Sequence, residues 1–211
     1  MSACHLKKLN APLKEALERL EIVTPTPFQK KSISKIKSGA NFYGIAPEGA
    51  GKTTAMIIST IQKLKSEAYM DAPRALIYVK DKESALALEE KFKAFTRYMD
   101  LRIYCAYDEQ NIDHQKDDIY YGMDIVIATP SRINKLFSIT GIHLGELQLL
   151  ILEDAEILVK RSFNQDIYRI TQSINKCQYL VFAESWDARL EKLQDTFMTN
   201  AVKVTIKETS S

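Results

Sequence analysis

The octapeptide Ala46-Pro47-Glu48-Gly49-Ala50-Gly51-Lys52-Thr53 is the segment of this 211-residue chain best suited to chemistry. It follows a strand-like apolar run, Phe42–Ala46, and opens a helical pattern over Lys52–Ser66. A loop in that setting can turn backbone N–H groups onto phosphate oxygens. Gly49 and Gly51 tolerate backbone conformations closed to other residues, and a helix starting at Lys52 adds the positive end of its dipole. Lys52 is placed to reach the β- and γ-phosphates of a nucleotide, and the Thr53 hydroxyl to ligate Mg²⁺. The expected phosphate-binding set is Ala46, Pro47, Glu48, Gly49, Ala50, Gly51, Lys52, Thr53 and Thr54. Ala46 stands where the general pattern GxxxxGK[ST] has glycine, a departure of one residue.

A second cluster, Leu150-Ile151-Leu152-Glu153-Asp154-Ala155-Glu156, places acids at the end of an apolar strand about a hundred residues further on. A nucleotide site needs one carboxylate to hold Mg²⁺, partly through water, and a neighbour to orient the attacking water. Glu153, with Thr53, is the expected metal ligand. Lys52, Glu153 and Asp154 form the expected catalytic set.

These loops must be held by a scaffold, and the chain alternates strand-like and helix-like segments almost to its end. Strands are expected at Phe42–Ala46, Ala75–Val79, Arg102–Ala106, Asp124–Ala128, Leu147–Leu152, Tyr179–Ala183 and Val202–Ile206. Runs such as Leu149-Leu150-Ile151-Leu152 are apolar throughout, which suits strands covered on both faces. Helices are expected at Ala11–Leu20, Pro27–Lys37, Lys52–Ser66, Glu83–Tyr98, Arg132–Phe137, Asn164–Ile174 and Asp187–Phe197. In the fourth, Ala85, Leu88, Phe92 and Phe95 recur at helical spacing. Such alternation predicts an α/β fold, a mostly parallel sheet of about seven strands with helices on both faces. Ligands of such sheets bind at the carboxyl ends of the strands.

Composition narrows the function classes. Length favours one domain over two, and seven glycines with six prolines are about half the usual share, which excludes long disordered stretches. The net charge of +2, from 29 basic and 27 acidic residues, excludes a polycationic wrapper of nucleic acid but leaves a local basic track open. Cys4, Cys105 and Cys177 are odd in number and include no CxxC, so neither a disulfide framework nor a zinc site is indicated. No apolar run approaches the ~18 residues of a membrane span. A soluble protein of a reducing, cytoplasmic compartment without a membrane partner is expected. Lys30, Lys31, Lys35 and Lys37 read as a solvated helix face, Lys160-Arg161 likewise, and Trp186 as a packing residue.

With both acidic and phosphate-loop segments in place, the chain resembles the first RecA-like domain of the DEAD-box RNA helicases over nearly its whole length, from Cys4 to Ile206. The region 4–37 resembles the Q-motif segment and 38–207 the P-loop core. Thr24-Pro25-Thr26-Pro27-Phe28-Gln29 resembles the Q motif, which implies that Gln29 reads adenine: a carboxamide both donates and accepts, as adenine N6 and N7 require. Lys80-Asp81-Lys82-Glu83-Ser84-Ala85 occupies the place of motif Ia, and Ala128-Thr129-Pro130-Ser131-Arg132 resembles motif Ib. That correspondence implies RNA-backbone contacts by Lys80, Lys82, Thr129 and Arg132. Glu153–Glu156 stands where the family has DEAD, and Ala183-Glu184-Ser185 where it has SAT, with Ser185 implied to couple the ATP and RNA sites.

The resemblance implies ATP and Mg²⁺ as cofactors, and RNA bound with low sequence specificity. It also implies a second RecA-like domain, which supplies arginine fingers and half of the RNA clamp. No such domain lies within these 211 residues, and a fragment of a longer helicase is the expectation. The sequence departs from the family at several points. Glu21-Ile22 replaces a Gly-aromatic pair, the upstream aromatic falls at Cys4, and no GG pair stands near Tyr107-Asp108. The acidic motif reads Glu-Asp-Ala-Glu, which makes Glu153 a methylene longer and Asp154 a methylene shorter than the family's residues. A misplacement of about 1 Å can cost on the order of a hundredfold in rate, so ATP–Mg²⁺ binding with slow or absent hydrolysis is expected. Two other readings stand beside this one. One is a catalytically silent nucleotide-binding or protein-interaction module derived from a helicase domain. The other is an unrelated P-loop ATPase.

Overall fold

The structure is a computed structural model that describes residues 9–160, 164–174 and 176–207. Cys4, the start of the 4–37 region and Arg161 lie outside the described residues. Seven strands form one sheet: β1 (Phe42–Ile45), β2 (Ala75–Tyr78), β3 (Ile103–Ala106), β4 (Ile125–Ala128), β5 (Leu149–Leu152), β6 (Gln178–Ala183) and β7 (Val202–Thr205). Their spatial order is β3-β4-β2-β5-β6-β1-β7, and every pairing is parallel. All seven expected strands are present, each end falling within two residues of its expected place.

Alternation along each strand divides the core. Phe42, Ile77, Ile127, Ile151 and Phe182 face one layer with α1 (Ala11–Arg19), α2 (Pro27–Lys37), α3 (Lys52–Lys63) and α4 (Lys82–Thr96). Their neighbours Tyr43, Leu76, Val126, Leu150 and Val181 face the other layer. That layer holds α5 (Ile112–Tyr120), α6 (Pro130–Ser138), α7 (Ala155–Lys160), α8 (Asn164–Thr171) and α9 (Ala188–Glu191). Both faces of the central strands are covered, so their apolar runs carry no polar alternation. At the sheet edges, β3 and β7 keep partly exposed positions. Ala85, Leu88, Phe92 and Phe95 of α4 are all buried, as their spacing predicts.

Two helices were not expected. α5 buries Gln115 and Ile119 rather than an apolar stripe. The Gln115 amide donates to Tyr107 O (3.1 Å) and Gln110 Oε1 (2.6 Å), so a polar side chain sits between Ile112 and Ile119 on the packed face and interrupts the hydrophobic period. α7 starts within the acidic motif, immediately after Asp154 turns the chain through a left-handed conformation (φ 49°). The segment expected as one helix over Asp187–Phe197 divides into α9 and a 3₁₀ turn, Lys192–Asp195.

Strand register sets the site. Tyr78 is level with both Ala128 and Leu152, and Ile45 with Ala183. The carboxyl ends of β1, β2, β4, β5 and β6 therefore lie along one edge of the sheet. At the opposite edge, Asp124 is fully buried and binds two arginines: Arg74 Nη2 at 2.6 Å and Arg102 Nε at 2.9 Å. Burial opposes its charge, but hydrogen bonds from Arg102, Arg74 and the Tyr69 amide prevail and hold the carboxyl below its usual range.

Candidate nucleotide and nucleic-acid site

The loop between β1 and α3 has the shape its glycines permit. Gly49 and Gly51 adopt φ of 76° and 89°, in the region L side chains rarely adopt. Gly51 is the N-cap of α3, and no side chain caps that helix. Its first-turn amides are the donors a phosphate group would take. The Lys52 ammonium lies on the carbonyls of Ala46 (2.6 Å) and Pro47 (3.0 Å), and 3.9 Å from Glu184 Oε1.

Only β6 separates β1 from β5, so the acidic motif stands across the edge from this loop. Thr53 Oγ1 donates to Glu153 Oε1 at 3.0 Å. Burial pushes the Glu153 carboxyl upward; the Thr53 hydrogen bond opposes that shift and the neighbouring Asp154 charge adds to it. Loop, acidic motif and α4 enclose a cleft of about 610 Å³, lined among others by Glu48, Gly49, Gly51, Lys52, Thr53, Thr54, Glu153 and Asp154. Among the described residues no group of three or more His, Cys, Asp or Glu could hold a metal ion. One hydroxyl and one carboxylate, completed by water and phosphate oxygens, are the donor set Mg²⁺ usually takes from a nucleotide site. The residues present therefore fit a phosphate group carrying Mg²⁺.

Three expected residues make contacts that their spacing did not show. Lys80, placed in the RNA set, lines the cleft beside the acidic motif, its ammonium 3.2 Å from Asp154 Oδ2. The reason is register: β2 lies beside β5, so the residue just past its end faces the acidic motif. Gln29 is buried and lies outside the cleft lining. Its Oε1 accepts from Thr26 N (2.9 Å), its backbone amide donates to Thr26 Oγ1 (3.2 Å), and Nε2 donates to Gly51 O (3.4 Å). It thus completes a capping box on α2 and braces the phosphate loop, together with Thr26 Oγ1 donating to Ala50 O (2.7 Å). Ser185 is exposed. The contact between its loop and the acidic motif is made by Glu184 N, donating to Glu156 Oε2 at 3.3 Å. Ile22 packs partly buried against the core, and Trp186 packs edge-on against Tyr43 at 5.2 Å.

Lys82, Thr129 and Arg132 are brought together, around the turn that follows β3. Lys82 pairs with Glu109, and its ammonium stands 5.4 Å from the centre of the Tyr107 ring. Thr129 Oγ1 and Ser131 Oγ donate to the Asp108 carboxylate at 3.4 and 3.3 Å, and Lys135 pairs with it at 2.6 Å. Arg132 donates to the carbonyls of Asp108 and Gln110, the latter at 3.0 Å. Glu156, Glu184 and Lys91 also line the cleft, and Asp108 and Glu109 lie among the basic residues, none of them in the expected site set. The first two were readable as acids beside expected strand ends; the others become neighbours of the site only through the fold.

Residues 26–193 match the DEAD/DEAH box helicase family. The chain is 32% identical over 189 residues to the ATP-dependent RNA helicase dbp3 of Neosartorya fischeri, covering 87% of this chain and 37% of that protein. It is 26% identical over 194 residues to the pre-mRNA-processing ATP-dependent RNA helicase PRP5 of Meyerozyma guilliermondii, covering 89% of this chain and 22% of that one. It thus spans well under half the length of these relatives. The fold superposes on a DEAD box protein from the hyperthermophile Methanococcus jannaschii with a TM-score of 0.88 at 21% identity, over 95% of this chain and 55% of the other. An all-parallel seven-stranded sheet, a phosphate loop facing an acidic motif, and a match spanning most of the sequence give one conclusion: the chain belongs to the DEAD/DEAH box helicase family, as a RecA-like domain carrying the P-loop.

Proposed function

We propose that this domain binds ATP with Mg²⁺ in the cleft between the β1–α3 loop and the acidic motif, and acts with a second RecA-like domain as part of an ATP-dependent RNA helicase. The observation that carries the reading is the 3.0 Å hydrogen bond from Thr53 to Glu153, which joins the phosphate loop to the acidic strand inside one cleft with Lys52. The related helicases dbp3 and PRP5 are named for ATP dependence and RNA, which supports the same assignment.

The loop amides at Gly49, Ala50 and Gly51 bind phosphate oxygens, and Lys52 leaves its two carbonyl partners to neutralise their charge. Thr53 and Glu153 would hold Mg²⁺, which would supply further charge neutralisation on the bound phosphates. Asp154 orients water, from a carboxylate a methylene shorter than the family's. Gln29 presents its carboxamide to adenine once it exchanges its contact with Gly51. Slow hydrolysis follows from the short Asp154 side chain. A reducing, cytoplasmic setting is part of the same proposal; among the described residues Cys105 and Cys177 are free thiols.

Isothermal titration of ADP–Mg²⁺ and ATP–Mg²⁺ tests the reading, with Lys52→Ala as the control. Binding that weakens by about 10- to 100-fold in the variant is expected for loss of a charged hydrogen bond. Equal binding by both proteins, or none by either at millimolar nucleotide, refutes it.

A further inference from the structure

The residues that match the family's RNA-contacting motifs do not present an open cationic surface. Thr129 and Arg132 are only 8% and 4% exposed. Their donors, with those of Ser131 and Lys135, converge on Asp108, while Lys82 is taken by Glu109. These two acids follow Tyr107, where the family's GG pair has no counterpart. Burial opposes the Asp108 charge, yet Lys135, Ser131 and Arg132 outweigh it and hold the carboxyl below its usual range. The fit is incomplete. Arg132 Nε is buried without a hydrogen-bond partner, the Asp108 carboxylate lying 3.7 Å away. The Asp108 carboxylate thus leaves one guanidinium N–H unmet, a donor that a backbone phosphate oxygen can take.

We propose that the turn Tyr107–Gln110 is an internal substitute for the RNA backbone, with the Asp108 and Glu109 carboxylates occupying the anion positions of the site. RNA then engages Thr129 and Arg132 only by displacing this turn. The inference rests on the RNA-binding reading above and deepens it. The electrostatics follow directly: two carboxylates offset two of the three cations Lys82, Arg132 and Lys135, so an approaching phosphate meets a nearly neutral surface. RNA affinity is therefore set by the turn as much as by the basic residues. Freeing it adds phosphate contacts, each of which steepens the salt dependence of binding by about 0.7 for a single strand.

The test is fluorescence anisotropy of the chain with a labelled single-stranded oligouridylate, and separately with labelled heparin, a polyanion carrying no bases. Titrations run from about 50 to 200 mM salt. Asp108→Asn with Glu109→Gln removes both charges but keeps oxygen acceptors for the neighbouring donors, and Glu109→Gln alone changes only an exposed position. Thermal melts confirm that each variant is folded. The double variant is expected to bind RNA about tenfold tighter than the parent, with a salt slope steeper by about 0.7 to 1.4. Adding Arg132→Ala should cancel that gain. Equal affinities and slopes for parent and double variant overturn the proposal while leaving RNA binding intact. A gain on heparin with no RNA binding by either protein shows that the turn masks the cations, but overturns both its role as a substitute for RNA and the RNA reading. No gain on either probe overturns the proposal.

Discussion

The Lys80 ammonium lies 3.2 Å from Asp154 Oδ2, inside the cleft that also holds Lys52 and Thr53. Both side chains are about one-third exposed, so the pair contributes only about 0.2–1 kcal/mol to stability. Its consequence is electrostatic: a cation beside Asp154 offsets repulsion between that carboxylate and an incoming triphosphate. Lys80→Ala should therefore weaken ATP–Mg²⁺ binding by about fivefold, the size of one screened charge at ~4 Å. The effect on ADP–Mg²⁺ should be smaller. Paired calorimetric titrations check this, and equal losses for both nucleotides would sink it.

Asp154 has left-handed backbone geometry, with φ 49°, which Asp tolerates better than most residues. Asp154→Glu restores the longer side chain at a stability cost of about 1 kcal/mol. Joined to a second RecA-like domain and supplied with RNA, the variant should hydrolyse ATP up to about a hundredfold faster than the parent. Single-turnover phosphate release measures this. A parent already as fast as the variant would show that the shorter carboxylate reaches its water.

The two phosphate-loop glycines should differ in their response to alanine. A Cβ at Gly49 meets nothing within 4 Å, whereas one at Gly51 falls 2.5 Å from Gln29 Nε2 and 3.1 Å from Thr26 Oγ1. Both substitutions carry the strain of positive φ, about 1–3 kcal/mol. Gly51→Ala adds displacement of Gln29, so it should lower the denaturant midpoint further and weaken nucleotide binding more than Gly49→Ala. Equal effects would mean that Gln29 does not brace the loop.

Acid should release the buried Asp124 network. Its folded carboxyl titrates below its ordinary 3.8, so the stability it contributes is present above that value and is lost as pH falls through the folded one. Asp124→Asn should cost about 3–5 kcal/mol near neutrality, because Arg74 and Arg102 lose their buried partner. It should also flatten the decline in stability below about pH 4. Urea melts from neutral to acidic pH measure both effects, and a variant retaining the parent's acid sensitivity would point to another carboxylate.

Features legible in the sequence were local or periodic. Apolar runs read as buried strands because both faces of a parallel sheet are covered, and Ala85, Leu88, Phe92 and Phe95 marked their helix through 3.6-residue spacing. The phosphate loop was legible because glycine, lysine and threonine do their work within eight consecutive residues. Tertiary structure alone decided the pairings between distant segments. Sheet order set Lys80 beside Asp154, the β3 turn carried Asp108 onto Thr129 and Arg132, and the α2 capping box turned Gln29 onto Gly51. Helix α5 carries too short an apolar pattern to be read, because buried Gln115 stands between Ile112 and Ile119 and its amide is satisfied by Tyr107 and Gln110. Side-chain type and spacing suffice where chemistry is contiguous; polar pairing across about 20 to 75 residues depends on strand register, which no local pattern encodes.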